Sequence, residues 1–228
     1  YSFFLHESED NKGAQAELNN ITRVDSNNLG MMRIMAYVAF ENNLQDTARR
    51  CIEKVFSITE NDTARRIGRD FACYGKVLAK AGNDSLGADY LRRAIVNDPR
   101  NGDLYDELAK MATKAKKYDV AVQAYREKFA NIPKISSGDY FTFGRALYSA
   151  KNFVEADSIF TKVTTMSPNW PNGHLYRGRT NGQLDSTYSS LSAIPHYQRY
   201  IEIVTADSAN TVKYSKELIE ANSYIAVA

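Results

Sequence analysis

Cysteine and histidine are the side chains of this 228-residue chain best suited to nucleophilic or metal chemistry, and there are few of them. Cys51 and Cys73 do not form a C-x-x-C pair, and no pattern of carboxylates accompanies His6, His174 or His196. Two packed thiols are one interpretation. A disulfide is the other, and it would require an oxidising compartment and suitable geometry. The histidines predict structural or surface roles, with His174 and His196 close together if their helices align.

Cys73 has a second possible role, because Arg69 and Lys76 fall on the same predicted helix face. Nearby cations lower the pKa of a thiol and make it nucleophilic, whereas burial makes it inert. The chain has no glycine-rich phosphate loop, no G-x-S-x-G and no H-E-x-x-H. The sequence therefore predicts a protein that is not an enzyme and needs no metal or cofactor.

Charge and hydropathy narrow the classes of partner. The net charge is +2, and the densest basic run, Lys114 to Lys117, falls where a helix is predicted to end. Cations at that position are favoured by the helix dipole, so the run does not require nucleic acid. No apolar run approaches the roughly 20 residues of a membrane helix. We expect neither a nucleic-acid partner nor a transmembrane segment.

The positioning elements follow from an internal repeat. Apolar residues at spacings of three and four predict pairs of helices, and each of the three pairs within residues 68–170 ends at a proline, namely Pro99, Pro133 and Pro168. The prolines lie 34 and 35 residues apart. Small residues keep the same phase on both helices of each pair, at Gly75 and Gly87, Ala109 and Ala121, and Gly144 and Ala156. Small side chains allow two helices to approach closely.

This pattern resembles the tetratricopeptide repeat family, whose helix-turn-helix unit has 34 residues. The resemblance covers nearly the whole chain and is most specific over residues 68–170. Lys128 departs from it, since an apolar residue is usual there, and Ser26 and Glu60 stand where proline is usual. The resemblance implies an all-α fold, a right-handed α-solenoid of antiparallel helix pairs, in a longer bacterial protein of which this chain is a fragment.

The repeat register predicts boundaries along the chain. Residues 63–67 read as an insertion of about five residues, and Thr180 to Ser192 as an expanded loop. The predicted units are the end of a truncated repeat at 1–28, repeats at 29–67, 68–101, 102–136, 137–170 and 171–207 (the last with the expanded loop), and the first helix of a truncated repeat at 208–228.

The resemblance also implies where a ligand binds, because the first helices of successive pairs line a concave groove in this family. The residue after each small first-helix position is expected to face that groove, and four of these five residues are cationic. The expected groove residues are Tyr37, Lys76, Lys110, Arg145 and Arg179, with Phe141 as an apolar neighbour. A row of cations predicts a protein or peptide partner with acidic groups. Ordinary exposed basic residues are the alternative interpretation.

Function and compartment remain hypotheses from sequence. The leading function is a protein- or peptide-binding scaffold. The alternatives are a glycan-capture lipoprotein that partners an outer-membrane importer, and the regulatory arm of a larger enzyme or sensor. Seven of the 15 aspartates precede Ser or Thr, which resembles an O-glycosylation motif of exported bacterial proteins. Helix capping is the competing explanation. We expect a periplasmic or surface-lipoprotein location, with the cytoplasm as the alternative; the oligomeric state is unknown.

Overall fold

The computed structural model describes residues 27–185, 187 and 190–228, so the helix predicted around residues 14–21 lies outside the described part. The described residues contain helices and no strand, which confirms the predicted all-α fold class. The twelve helices are α1 (Leu29–Glu41), α2 (Gln45–Ile58), α3 (Gly68–Lys80), α4 (Asp84–Asn97), α5 (Gly102–Lys114), α6 (Tyr118–Asn131), α7 (Ser137–Ser149), α8 (Phe153–Met166), α9 (Pro171–Leu184), α10 (Ile194–Thr205), α11 (Ser208–Lys213) and α12 (Ser215–Val227).

Packing divides the chain into two compact units. Unit 1 spans Tyr1–Lys116 and its described helices are α1 to α5; unit 2 spans Lys117–Ala228 and holds α6 to α12. In unit 1 the pairs α1/α2 and α3/α4 stack, and α5 packs on α4. In unit 2 the pairs α7/α8 and α9/α10 stack, α6 packs on α7, and α12 covers α10. Because Ala109 and Ala121 belong to different units, their predicted contact remains a prediction.

Four of the turns between consecutive described helices each contain one residue in the left-handed backbone region. Gly82 occupies this position with φ of 84°, and Asn43, Lys116 and Lys151 occupy it with φ of 58°, 57° and 61°. Glycine adopts this conformation without strain, asparagine tolerates it, and lysine is disfavoured there. The sequence signalled only the turn at Gly82, because the other turns achieve the same geometry without glycine.

Glycines allow the helices of a pair to touch, as predicted. A Cβ atom added to Gly75 would lie 2.9 Å from the carbonyl oxygen of Gly87, so α3 and α4 meet backbone to backbone. A Cβ on Gly144 would lie 2.5 Å from the ring of Phe160 on α8. The close contact between α7 and α8 therefore joins a glycine to an aromatic ring. The sequence instead predicts Ala156 as the partner of Gly144.

The insertion predicted at residues 63–67 is a fixed connection containing a short 3-10 helix, Thr63–Arg65. The Arg66 guanidinium donates to the carbonyl oxygens of Phe56 and Thr59 at the end of α2. It also lies 4.7 Å from the centre of the Phe56 ring. The extra residues are thus held in place by the helix that precedes them.

The loop predicted from Thr180 to Ser192 is shorter than expected. Helix α9 continues to Leu184, because the Thr180 hydroxyl donates to the carbonyl of Tyr176 and the absence of a side chain at Gly182 admits the ring of Tyr224. The connection begins at Asp185, whose carboxylate accepts from the backbone amides of residues 190 and 191. Threonine and glycine indicated a loop in the sequence, but packing against α12 keeps this segment helical.

Lys128, the residue that departs from the family pattern, is buried on α6 with 5% of its surface exposed. Its ammonium group donates to the carboxylate of Asp139 at 2.5 Å, and Ser136 also donates to that carboxylate. Although burial acts to raise it, the pKa of Asp139 is lowered, because the bonds from Lys128 and Ser136 favour the charged form. An ion pair with the next helix replaces the usual apolar contact.

Candidate functional site

In unit 1 a buried carboxylate, that of Asp70, joins the first helices of the two stacked pairs, α1 and α3. Asp70 on α3 is fully buried and accepts hydrogen bonds from the Arg33 guanidinium at 2.7 to 3.0 Å and from the backbone amide of Ile67. These bonds raise the pKa of Arg33. Arg33 also donates to the carbonyl oxygen of Arg65, which ties the 3-10 insertion to α1. The cluster therefore fixes α1, the insertion and α3 as one block.

Tyr37, predicted to contact a ligand, belongs to this block. Its hydroxyl donates to Asp70 at 2.5 Å, and the guanidinium of Arg69 lies 4.4 Å from its ring centre. Burial and the neighbouring carboxylate raise the pKa of Tyr37 well above its ordinary value, which keeps the phenol protonated. Through its hydroxyl and one ring face Tyr37 positions α1 against α3, and its contact with a ligand remains a prediction.

Lys76 and Lys110, by contrast, come together in one cleft of about 250 Å³ between α3 and α5. No acid forms an ion pair with either of them within the described residues. Two further lysines and two acids line the same cleft, and of these Lys114 lies 3.6 Å from Asp84. We call this cleft the lysine cleft; it is lined by Phe40, Lys76, Ala79, Lys80, Asp84, Glu107, Lys110, Met111 and Lys114.

The composition of the lysine cleft determines what it can accept. Its four lysines outnumber its two carboxylates, so it carries excess positive charge. Phe40, Ala79 and Met111 provide apolar surface between the charges. Sequence reasoning missed Lys80 and Lys114, although each lies four residues after a predicted groove lysine and hence on the same helix face. The cleft suits a segment that combines an acidic group with an apolar side chain.

In unit 2, Arg145 and Phe141 are one helical turn apart on α7, but they differ in exposure. Phe141 is buried, with 8% of its surface exposed, against the rings of Phe160, Trp170 and Tyr176. It therefore packs in the core beside Arg145, and its contact with a ligand remains a prediction. Arg145 is exposed, and its guanidinium lies 6.0 Å from the ring centre of Phe141 and 5.8 Å from that of Tyr176.

Arg179, the last predicted groove residue, already has an acidic partner. Its guanidinium donates to both carboxylate oxygens of Glu220 on α12, at 2.7 and 2.5 Å, and lies 5.1 Å from the centre of the Tyr176 ring. These bonds raise the pKa of Arg179. An acidic ligand would have to compete with Glu220, so Arg179 is a weaker candidate than the two lysines. A single surface that includes Lys76, Lys110 and Arg145 spans both units and remains a prediction.

The side chains suited to chemistry do not assemble a reactive site in the described residues. Both cysteines there are free and buried, and burial raises the pKa of Cys73 to about 12, against the effect of Arg69 and Lys76. The hypothesis of an activated thiol is therefore corrected. Among the residues described, no group of three or more His, Cys, Asp or Glu side chains could hold a metal ion. No helix of the described chain has the length and apolar character needed to cross a membrane.

Comparison with known proteins places this arrangement in a structural family. No protein-family model matches the chain, and no curated protein matches it. Among solved structures, the C-terminal part of a TPR repeat-containing protein from Cytophaga hutchinsonii is similar, with a TM-score of 0.82 and 29% identity over 100% of this chain and 86% of that one.

Two further structures share the fold at lower identity. YrrB, described as a TPR protein with an unusual peptide-binding site, has a TM-score of 0.66 and 17% identity over 87% of this chain and 97% of its own. MamA from AMB-1 has a TM-score of 0.65 and 21% identity over 82% of this chain and 98% of its own. Together with the helix pairs, the glycine contacts and the 34-residue spacing, these similarities identify the chain as a tetratricopeptide-type helical repeat protein.

Proposed function

We propose that this protein is a non-catalytic scaffold that binds a protein or peptide, and that the lysine cleft of unit 1 accepts an acidic segment of the partner. The observation that carries the proposal is the pair Lys76 and Lys110, two neighbouring cations without an ion-pair partner in the described structure. Tetratricopeptide-type neighbours support protein interaction as the general role.

The physical basis is charge complementarity. Lysines that line one cleft repel, and a carboxylate bound beside them reduces this repulsion and gains charge-assisted hydrogen bonds. The apolar floor at Phe40 and Met111 adds burial of an aliphatic or aromatic side chain beside the acid. Since the lysine ends are reached by solvent, added salt weakens the electrostatic part and leaves the apolar part.

The test is a binding comparison with a fluorescent peptide library that varies acidic and apolar positions. The double variant Lys76→Ala/Lys110→Ala is expected to weaken binding of acidic-apolar peptides by about tenfold or more and to reduce the dependence on salt. Lys134→Ala/Lys216→Ala is the matched control, because it removes the same charge from exposed positions in unit 2. Arg145→Ala alone reports whether unit 2 contributes. Equal affinity of the double variant, the control and the wild type would disprove the proposal.

We also propose export from the cytoplasm, supported by the excess of Asp-Ser and Asp-Thr pairs. Among the described hydroxyl residues that follow an aspartate, four are exposed and available to a modifying enzyme, namely Thr63, Ser85, Ser158 and Ser208. Thr47, which follows Asp46, is 1% exposed and is therefore not expected to carry a glycan.

Capping accounts for one of these aspartates, since the Asp207 side chain accepts from the amide of Ala209. Intact-mass measurement on protein from its own host is expected to show added hexose. An unmodified mass in a protein shown to be extracytoplasmic would leave capping and ion pairing as the explanation of the motif.

A further inference from the structure

Unit 2 contains a cluster of two histidines and two arginines that takes no part in the proposed binding site. His174 lies on the first turn of α9 and His196 on the first turn of α10, and His174 contributes to lowering the pKa of His196. The charges of Arg199 on α10 and Arg177 on α9 act to lower the pKa of His174, after the larger effect of burial. The acids around the cluster are Asp157 on α8 and Glu202 on α10. Three helices therefore meet at a group of titratable side chains.

The hydrogen bonding of His174 fixes its tautomer. Its Nε2 atom lies 2.8 Å from the carbonyl oxygen of Pro168, and a carbonyl only accepts, so Nε2 carries the proton. Nδ1 of the same ring is buried and has no partner among the described residues. Protonation of Nδ1 would therefore place a charge in a buried position beside Arg177 and Arg199, where nothing compensates it.

The acids of the cluster are already engaged by other groups. Asp157 accepts from Arg177 at 3.2 Å and from Asn181 at 2.7 Å. Arg199 donates to Glu202 at 2.9 Å and to the Asn169 side chain at 3.1 Å. Neither carboxylate forms a hydrogen bond with a histidine. Two more protons would thus add positive charge to a site whose acids are occupied.

We propose that this histidine cluster is an acid-sensitive joint between α8, α9 and α10, which holds the helices together at neutral pH and loosens in mild acid. Burial lowers the pKa of both histidines. For His196 the charges of Arg177 and His174 add to this effect and Asp157 opposes it, so that the pKa falls to about 4. A histidine whose pKa is lower in the folded state stabilises it fully above the ordinary value near 6.5. That stabilisation is lost as the pH falls from about 6.5 towards 4.

Hydrogen exchange of the full chain at pH 7 and pH 5 tests the proposal. With pKa values of about 4 in the folded state and 6.5 in the unfolded state, His196 alone raises the opening equilibrium by about 20-fold at pH 5 relative to pH 7. The protection factors of amides in α9 and α10 are expected to fall by a factor of this size, and protonation of His174 is expected to increase the fall. Those in α3 and α4, which contain no histidine, serve as the internal reference.

Two variants separate titration from packing. His174→Gln keeps a donor for Pro168, and His196→Gln keeps a polar side chain of similar size, but neither titrates. Each is expected to remove a part of the pH-dependent loss in α9 and α10. Should a variant not fold, a titration of the wild-type ring protons by NMR decides the matter. Histidine pKa values at or above 6.5, or an equal loss of protection in α3, would overturn the proposal.

Discussion

Units 1 and 2 use the same repeat and place cations at equivalent first-helix positions, yet they neutralise them differently. In unit 1 the acid that joins the first helices, Asp70, is fully buried and bonded to Arg33 and Tyr37, so it cannot reach the lysines further along the helices. In unit 2 the joining acid, Glu220, is partly exposed and pairs with the groove cation Arg179 itself. Where the internal acid is used for packing, the cations remain available to a partner.

The two units also differ in how their closest helix pairs meet. In unit 1, Gly75 and Gly87 allow the backbones of α3 and α4 to touch. In unit 2, Gly144 and Gly178 each receive an aromatic ring, from Phe160 and Tyr197 respectively. A backbone contact cannot be relaxed by changing one side chain, whereas a contact with a ring can. The same small residue in the sequence therefore serves two kinds of packing.

The largest expected effect concerns the two joining acids. Asp70→Asn leaves Arg33 without its buried carboxylate and is expected to lower the free energy of unfolding of unit 1 by about 3 to 5 kcal/mol. Glu220→Gln removes a partly exposed pair and is expected to cost less than about 1 kcal/mol in unit 2. Denaturant unfolding combined with hydrogen exchange measures both. Losses of equal size would show that the difference in burial between the two acids has no energetic consequence.

A smaller effect separates backbone contacts from ring contacts. Gly75→Ala and Gly144→Ala are each expected to cost about 1 to 3 kcal/mol, because the new Cβ overlaps a neighbour. Phe160→Leu should then restore part of the loss caused by Gly144→Ala, since it replaces the overlapping ring. Leu91→Val should restore little after Gly75→Ala, because the carbonyl of Gly87 stays in place. Double-mutant cycles give the two coupling energies, and equal rescue would contradict the distinction.

The smallest effect concerns the turns. Lys151 in unit 2 adopts the left-handed conformation that Gly82 adopts in unit 1. Lys151→Gly is expected to stabilise the α7/α8 pair by about 0.5 kcal/mol, and Gly82→Ala to destabilise the α3/α4 pair by about 1 kcal/mol. Lys151→Asn is the control, because Asn43 already occupies this conformation in the first pair. Midpoints of thermal unfolding are a sufficient measurement, and opposite signs for either glycine change would show that other contacts control these turns.

The sequence by itself determined the helices, their pairing and the class of protein. These follow from local spacing, because apolar residues three and four apart must share one helix face and a proline must end the helix that precedes it. It also indicated Lys76 and Lys110 as candidate binding residues, because the residue that follows a small contact residue points away from the partner helix. The helical periodicity could also have predicted Lys80 and Lys114, because each lies four residues after one of these lysines and hence on the same helix face.

Only the tertiary structure decided which of these cations are free. Tyr37 and Arg179 have the same repeat phase as Lys76. However, Tyr37 donates a hydrogen bond to Asp70, 33 residues further along the chain, and Arg179 donates to Glu220, 41 residues further along. It also decided that Phe141 is core and that Thr180 is helical, because both depend on neighbours from other helices. Periodicity records which way a side chain points along its own helix, whereas charge pairing and burial depend on what another helix places opposite it.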